Sequence, residues 1–156
     1  MNPPKPRTIC AALIDELANA PEAELSNELF IAGIVQKAQK GKDQDPEHYL
    51  NVMGIVSSLR GQHSETDEYF QRCLNTFGGS FVTYFNYAQS LQCLDRSFDA
   101  LGMINKALAI APTNEDAVAL ESLIQGTLID NAWADMEHDT EEQLIQMCQH
   151  QMVADL

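Results

Sequence analysis

The stretch YLNVMGIVSSLRGQHSETDEYFQRCLNTFG, residues 49–78, recurs in pattern as TYFNYAQSLQCLDRSFDALGMINKALAIAP, residues 83–112, at an offset of 34 residues. Bulky side chains align with bulky ones, and small side chains align with small ones. The aligned pairs are Leu50 with Tyr84, Gly54 with Ala88, Thr66 with Ala100, Phe70 with Ile104 and Cys73 with Ala107. Small residues let two helix axes approach while bulky neighbours fill the grooves beside them. The repeat therefore predicts two successive hairpins of antiparallel helices.

Capping and turn residues place the ends of these helices. Asp45 followed by Pro46 is typical of a helix N-cap and the first helical residue, and Ser80 is placed to cap the next first helix. Pro112 closes the second unit before Asn114 opens another helix. The predicted helix ends therefore agree with the 34-residue period.

This pattern resembles the tetratricopeptide repeat (TPR). The resemblance depends on the small residues Gly54 and Ala88, the bulky Phe70 and Ile104, and Pro112 at the end of ALAIAP. It implies an all-α fold of about seven helices, in which antiparallel helix hairpins are stacked as a short α-solenoid.

The flanking segments complete the predicted array less regularly. We expect a single TPR-like domain over residues 1–156. It divides into a degenerate N-terminal helical hairpin (1–45), two regular units (46–113) and acidic C-terminal capping helices (114–156). Departure from the pattern is expected in terminal units, because one of their sides faces water.

A separate final helix is expected near Thr140, since Thr140 and Gln143 have the spacing of a capping box. Its apolar stripe would pack on the preceding helix, with the carboxylates turned outward. The stripe consists of Leu144, Ile145, Cys148 and Met152.

The chain carries 23 acidic and nine basic residues, and residues 114–156 contain ten acids with no Lys or Arg. Such a surface repels phosphate backbones and anionic lipids, so we expect neither nucleic-acid nor membrane binding. Two interpretations of the acidic third stay open: a solvated face that keeps the protein dissolved, or a docking surface for a basic partner. The candidate acidic docking residues are Asp135, Glu137, Asp139, Glu141 and Glu142.

Motifs for catalysis, cofactors or metals are missing from the sequence. It has no Walker loop, GxGxxG, GxSxG or HExxH motif, so we expect no enzyme activity and no cofactor. The acidic run from Asp135 imitates a calcium loop, but Thr140 replaces the required glycine and Gln146 the closing carboxylate. We therefore expect no metal site.

The cysteines and the N-terminus indicate a cytoplasmic protein. Four widely separated cysteines form no CxxC pair, which is typical of free thiols in a reducing compartment. No apolar run approaches the ~20 residues of a membrane span, and the basic N-terminus leads to no signal-peptide core.

In TPR arrays the first helices of successive hairpins line a concave groove. The resemblance therefore implies a non-enzymatic interaction module, an adaptor or chaperone that binds a peptide or amphipathic helix of another protein. We expect a monomer or a weak homodimer. The candidate partner-binding residues on the inward face are His48, Asn51, Ile55, Val82, Phe85, Gln89, Gln92 and Leu123.

Two alternatives to this function stay open. One is an acidic neutralising protein, an immunity protein or antitoxin, that covers the active site of a basic partner. The other is the interaction domain of a longer chain. In length, acidity and repeat number the chain is similar to the small TPR chaperones of bacterial secretion systems. Binding to a short apolar segment would favour the chaperone, and binding to a strongly basic protein would favour the neutraliser.

Overall fold

A computed structural model describes the backbone of residues 6–154 and the side chains of residues 6–146. The expected all-α fold is confirmed, since residues 6–154 form eight helices and no strand. The helices are α1 (Ile9–Asn19), α2 (Glu22–Leu25), α3 (Glu28–Gly41), α4 (Pro46–Leu59), α5 (His63–Phe77), α6 (Phe81–Cys93), α7 (Ser97–Ile110) and α8 (Glu115–Ala154). The four-residue α2 lies between α1 and α3, which pack together and against α4.

Helices α4 and α5 form one antiparallel hairpin, and α6 and α7 form a second. Each hairpin turn contains one residue at positive φ, Gly61 in the first and Asp95 in the second. In both turns the next amide donates to the carbonyl four residues before that position, at 2.9 Å. Because the two turns lie 34 residues apart and share this geometry, the backbone repeats with the period of the sequence.

Helices α1, α4, α6 and α8 each begin at a side-chain N-cap. An oxygen of each capping side chain accepts a hydrogen bond from the backbone N–H three residues later, at 3.0–3.2 Å. The capping residues are Thr8, Asp45, Ser80 and Asn114. The predicted helix starts at Asp45, Ser80 and Asn114 are therefore confirmed.

Phe70 of α5 joins the two hairpins. Its fully buried ring lies against Gly54 of α4, where an added Cβ atom would come within 2.5 Å of the ring. The same ring stacks on Tyr87 of α6 with the centroids 4.6 Å apart. The equivalent residues of the second hairpin, Ala88 and Ile104, are also fully buried and belong to one apolar cluster. The predicted role of the small residues as close-contact points is confirmed at Gly54.

Hydrogen bonds among Asp67, Tyr87 and Arg96, which we call the polar clamp, connect the two hairpins beside the Phe70 contact. The Tyr87 hydroxyl donates a 2.6 Å hydrogen bond to the carboxylate of Asp67, which also accepts from Arg96 at 2.8 Å. Desolvation, assisted by the hydrogen bond to the Asp67 carboxylate, raises the pKa of Tyr87 to about 12. The neutral phenol is therefore the form that the fold favours.

Neighbouring first helices lie side by side, and α6 contacts both α4 and α8. The Asn86 side chain donates to Asn51 Oδ1 on α4, and the Gln92 side chain donates to Thr127 Oγ1 on α8, both at 3.1 Å. Each of these hydrogen bonds spans 35 residues. The contacts between neighbouring helices therefore recur with nearly the same period as the sequence. As a result, α4, α6 and α8 form one continuous surface.

The C-terminal third forms one helix of 40 residues, so the prediction of a separate helix starting near Thr140 is wrong. The Thr140 hydroxyl donates to the carbonyl of Met136 at 2.7 Å, a bond within the helix rather than a cap. Leu144 and Ile145 are exposed, so their predicted packing on a preceding helix is also wrong. The other two stripe residues, Cys148 and Met152, lie outside the described side chains. Among the described helices, none is both long and apolar enough to cross a membrane.

Replacing Gly54 with alanine tests the close contact with Phe70. The added methyl group would lie 2.5–2.8 Å from atoms of a fully buried ring, so we expect Gly54→Ala to destabilise the fold by about 1–3 kcal/mol. Gly102 is the matched control, because it is exposed on α7 and a Cβ atom there meets nothing within 4 Å. Gly102→Ala should stabilise the protein by roughly 0.5–1 kcal/mol. Equal denaturation midpoints for the two variants would contradict the contact.

The polar clamp predicts a pH dependence of stability. The pKa of Tyr87 lies above the ordinary value of 10.0, so the unfolded chain loses this proton first as the pH rises. The contribution of the protonated Tyr87 side chain to stability is complete below pH 10, and it is lost as the pH approaches about 12. Thermal unfolding should show that Tyr87→Phe lowers the melting temperature at pH 8 but gives a shallower decline between pH 10 and 12. Parallel declines in parent and variant would refute the assignment.

Candidate partner-binding groove

Helices α1 and α8, together with the first helices α4 and α6 of the two hairpins, surround a cleft of about 770 Å³, with Leu25 of α2 at one side. Its lining is mainly apolar, and Leu17 and Leu120 form buried parts of the surface. The larger apolar side chains that line the cleft include Ile14, Ile55, Leu59, Phe81 and Phe85. The cleft is therefore a concave, apolar surface that the stacked first helices build together.

Two aromatic rings form one wall of the cleft. Phe81 and Phe85 lie one turn apart on α6, and their rings stack with a centroid distance of 5.7 Å. Both rings are only partly buried, and Val82 beside them is exposed. Aromatic side chains held in this way can cover a partner's apolar surface without losing much further rotamer freedom.

Polar groups lie at the floor and the rim of the cleft. Asn86 and Ser90 are buried in the floor, whereas Gln89 is exposed at the rim. The carboxylate of Asp15 is paired with Arg7, and Asp116 is exposed at the start of α8. An amide and a carboxylate on the rim are therefore accessible to the backbone or side chains of a bound segment.

Four of the eight predicted binding residues line the cleft. These are Ile55, Val82, Phe85 and Gln89. The structure brings them together because α4 and α6 are parallel neighbours, so that Ile55 of α4 faces the same space as the three residues of α6. The predicted inward direction of Phe85 agrees with its place in the aromatic wall.

Asn51 cannot contact a partner, and its prediction as a binding residue is wrong. Its side chain is fully buried between α4 and α6. The amide nitrogen donates to Thr83 Oγ1 and to the Glu47 carbonyl at 3.1 Å each, and Oδ1 accepts from Asn86. This network satisfies a polar side chain inside the helix interface, which is its structural role.

Gln92 and His48 also serve the fold, and neither lines the cleft. The Gln92 amide is engaged at both ends, donating to Thr127 and accepting from Ser97 at 2.9 Å. His48 Nδ1 lies 2.9 Å from Oδ1 of Asp45, the N-cap of α4. Both side chains are partly exposed, so their role in binding stays a prediction. Desolvation raises the pKa of Asp45, but hydrogen bonds from Thr8 and His48 outweigh it and lower the pKa overall.

Leu123 is exposed on α8 but lies outside the cleft lining, where Leu120 and Ala119 take its place. The contribution of α1 was missed, although Ile14 and Leu17 belong to an apolar stripe that is visible in the sequence. A stripe shows that a helix packs, but it does not separate residues in the core from residues that line a cleft.

The five predicted acidic docking residues are exposed on α8, but they do not share one face. Glu137 and Glu141 lie one turn apart on one side of the helix. Asp135, Asp139 and Glu142, at spacings of four and three, lie on the opposite side. The acidic run is therefore divided between two surfaces of a single helix.

The described residues show no arrangement suited to metal binding, because no three His, Cys, Asp or Glu side chains converge there. Cys93 lines the cleft and is exposed, so it is the cysteine whose position could suit a nucleophile. Desolvation, together with the nearby Asp95 carboxylate, raises the pKa of its thiol. A raised pKa keeps the sulfur protonated at neutral pH, which opposes a role as nucleophile.

Comparison of the chain with models of protein families, with curated proteins and with solved structures gave no match. The repeat is instead visible within the chain itself. Turns, N-caps and contacts between first helices recur at 34 or 35 residues. The groove follows from this stacking.

The buried role of Asn51 gives a stability prediction. Asn51→Ala removes the acceptor of Asn86 and the donor to Thr83, so we expect a loss of about 1–3 kcal/mol in unfolding free energy. Gln89→Ala is the matched control, because it removes an exposed amide from the rim and should cost less than ~0.5 kcal/mol. Urea denaturation measures both. A cost for Gln89→Ala as large as that for Asn51→Ala would contradict the assigned burial.

Proposed function

We propose that the protein is a non-enzymatic interaction module of the TPR type, which binds an amphipathic helix or extended peptide of another protein. The observation on which this proposal depends is the cleft of about 770 Å³ that α1, α4, α6 and α8 line with apolar and aromatic side chains. Helix-in-groove recognition uses a mainly apolar concave surface of this kind, with a few polar groups that fix the orientation of the bound segment.

The repeated geometry of the hairpins supports the TPR part of the proposal. Gly61 and Asp95 occupy equivalent turns, and Asp45, Ser80 and Asn114 cap successive first helices. In a solenoid of hairpins, one helix of each unit faces the concave side. The cleft lies on the first helices, which is the side that this architecture would offer to a partner.

The aromatic wall supports an apolar occupant. Phe81 and Phe85 stack beside Ile55 of α4, while Gln89 stands at the rim. A helix with three or four apolar residues on one face would cover these rings and leave its polar face toward water. The protein would then act as an adaptor or as a chaperone that shelters an exposed apolar segment.

The charge and the thiols support a cytoplasmic setting for this function. With 23 acidic and nine basic residues, the chain favours protein partners over nucleic acids or anionic membranes. Cys10 and Cys73 are buried, unpaired thiols, and Cys93 is unpaired as well. Free thiols are the form that a reducing compartment maintains.

The test of groove binding uses apolar peptides selected from a display library against the whole chain. Phe85→Ala should weaken the selected peptides by about 30-fold, or ~2 kcal/mol, because it removes an aromatic anchor from the cleft wall. Phe98→Ala is the matched control: the same change at a ring that is 80% exposed on α7, outside the cleft. Fluorescence anisotropy measures both affinities.

The control should bind within about twofold of the parent, since Phe98 does not line the cleft. Circular dichroism checks that both variants keep their helices. If Phe85→Ala binds as well as Phe98→Ala, the groove is not the binding surface and the proposal fails.

A further inference from the structure

The second half of α8 leaves the body of the protein. Helix α8 is anchored by Ala117, Leu120 and Ile124, which are buried against the preceding helices. From residue 129 to residue 146, in contrast, every side chain is exposed. We call residues 129–146 the free segment of α8. At 1.5 Å per residue it extends for roughly 27 Å as a helix that no other part of the described structure covers.

A stripe of apolar side chains runs along the free segment. Ile129, Trp133, Met136 and Leu144 are 57%, 62%, 60% and 56% exposed. With Thr140 between the last two, their spacings are four, three, four and four residues, which places them on one face of the helix. Four large apolar side chains in one row form the kind of surface that another helix packs against.

Carboxylates border this stripe on one side. Asp130, Glu137 and Glu141 each follow directly after a stripe residue, so they form a row beside it. Residues 129–146 carry six carboxylates and no Lys or Arg. The surface is therefore apolar along its centre and negative along its edge.

This charge decides which partner fits. A second copy of the chain would bring two acidic rows together along the paired stripes, and like charges in contact disfavour association. A helix with Lys or Arg beside its own apolar row would place cations against Glu137 and Glu141. Opposite charges at such flanking positions set partner choice and orientation in helix pairs.

We propose that the free segment of α8 is a second docking surface, which binds a basic amphipathic helix of a partner protein. Trp133 is the anchor, because tryptophan is enriched among residues that dominate interface energies. Glu137 and Glu141 select the cationic partner. This surface is separate from the groove, so the inference goes beyond the proposed function.

The probe for this surface is a fluorescently labelled peptide of three heptads, with Leu at both core positions and Lys at the flanking positions. It is titrated with the whole chain. The control peptide carries Glu in place of every Lys. We expect binding of the Lys peptide only, accompanied by a blue shift in the emission of Trp133, the one tryptophan of the chain.

Matched double variants separate docking from general attraction. Glu137→Gln with Glu141→Gln and Asp135→Asn with Glu142→Gln remove the same charge from opposite sides of the helix. We expect the first pair to weaken the Lys peptide by about tenfold and the second by less than about threefold at physiological salt. All four side chains are exposed, so the fold tolerates both changes.

Four outcomes would overturn the proposal. Equal weakening by the two double variants, or unchanged Trp133 emission, means attraction without docking at the stripe. Loss of Lys-peptide binding in Phe85→Ala, with both double variants unaffected, places the peptide in the groove and leaves the groove proposal standing. A dimer in sedimentation, with Trp133 emission blue-shifted before any peptide is added, makes a second copy the occupant.

Discussion

The rest of the structure depends on one packing contact, in which the Phe70 side chain is buried between the two hairpins. Its ring fills the space that Gly54 leaves on α4 and stacks on Tyr87 of α6. Because one buried side chain touches both neighbours, the second helix of one hairpin fixes where the next hairpin begins. The first helices α4 and α6 then lie side by side, and the cleft that holds Phe85 opens along them.

The parts of the fold that repeat could be predicted from the sequence. Period, turns and caps are local signals, and each recurs at Gly61 and Asp95 or at Asp45 and Ser80. The groove could be predicted only in part, because the 34-residue offset aligns Asn51 with Phe85 although their surroundings differ. A helix lies against the face that contains Asn51, while the cleft opens at Phe85. The sequence alone does not show that the Asn51 side-chain amide forms buried hydrogen bonds.

In the C-terminal third, by contrast, a local sequence signal predicted a helix start that the structure does not contain. Thr140 and Gln143 have the spacing of a capping box, yet the chain contains no Gly or Pro between residues 127 and 154 to end a helix. Ala, Leu, Met, Glu and Gln dominate this stretch, and their helix propensity favours continuation. The result is a helix anchored at Leu120 and Ile124 that carries its apolar and acidic side chains away from the body.

A body of stacked hairpins presents the groove, while the free segment of α8 lies uncovered by any other described residue. Native-state hydrogen exchange measures this directly on the unbound chain. We predict that amides of α4, α6 and residues 117–128 exchange at least about a hundredfold more slowly than amides of residues 129–146, since an unpacked helix opens easily in water. Protection of residues 129–146 equal to that of residues 117–128 would show that the free segment is packed, against this description of the fold.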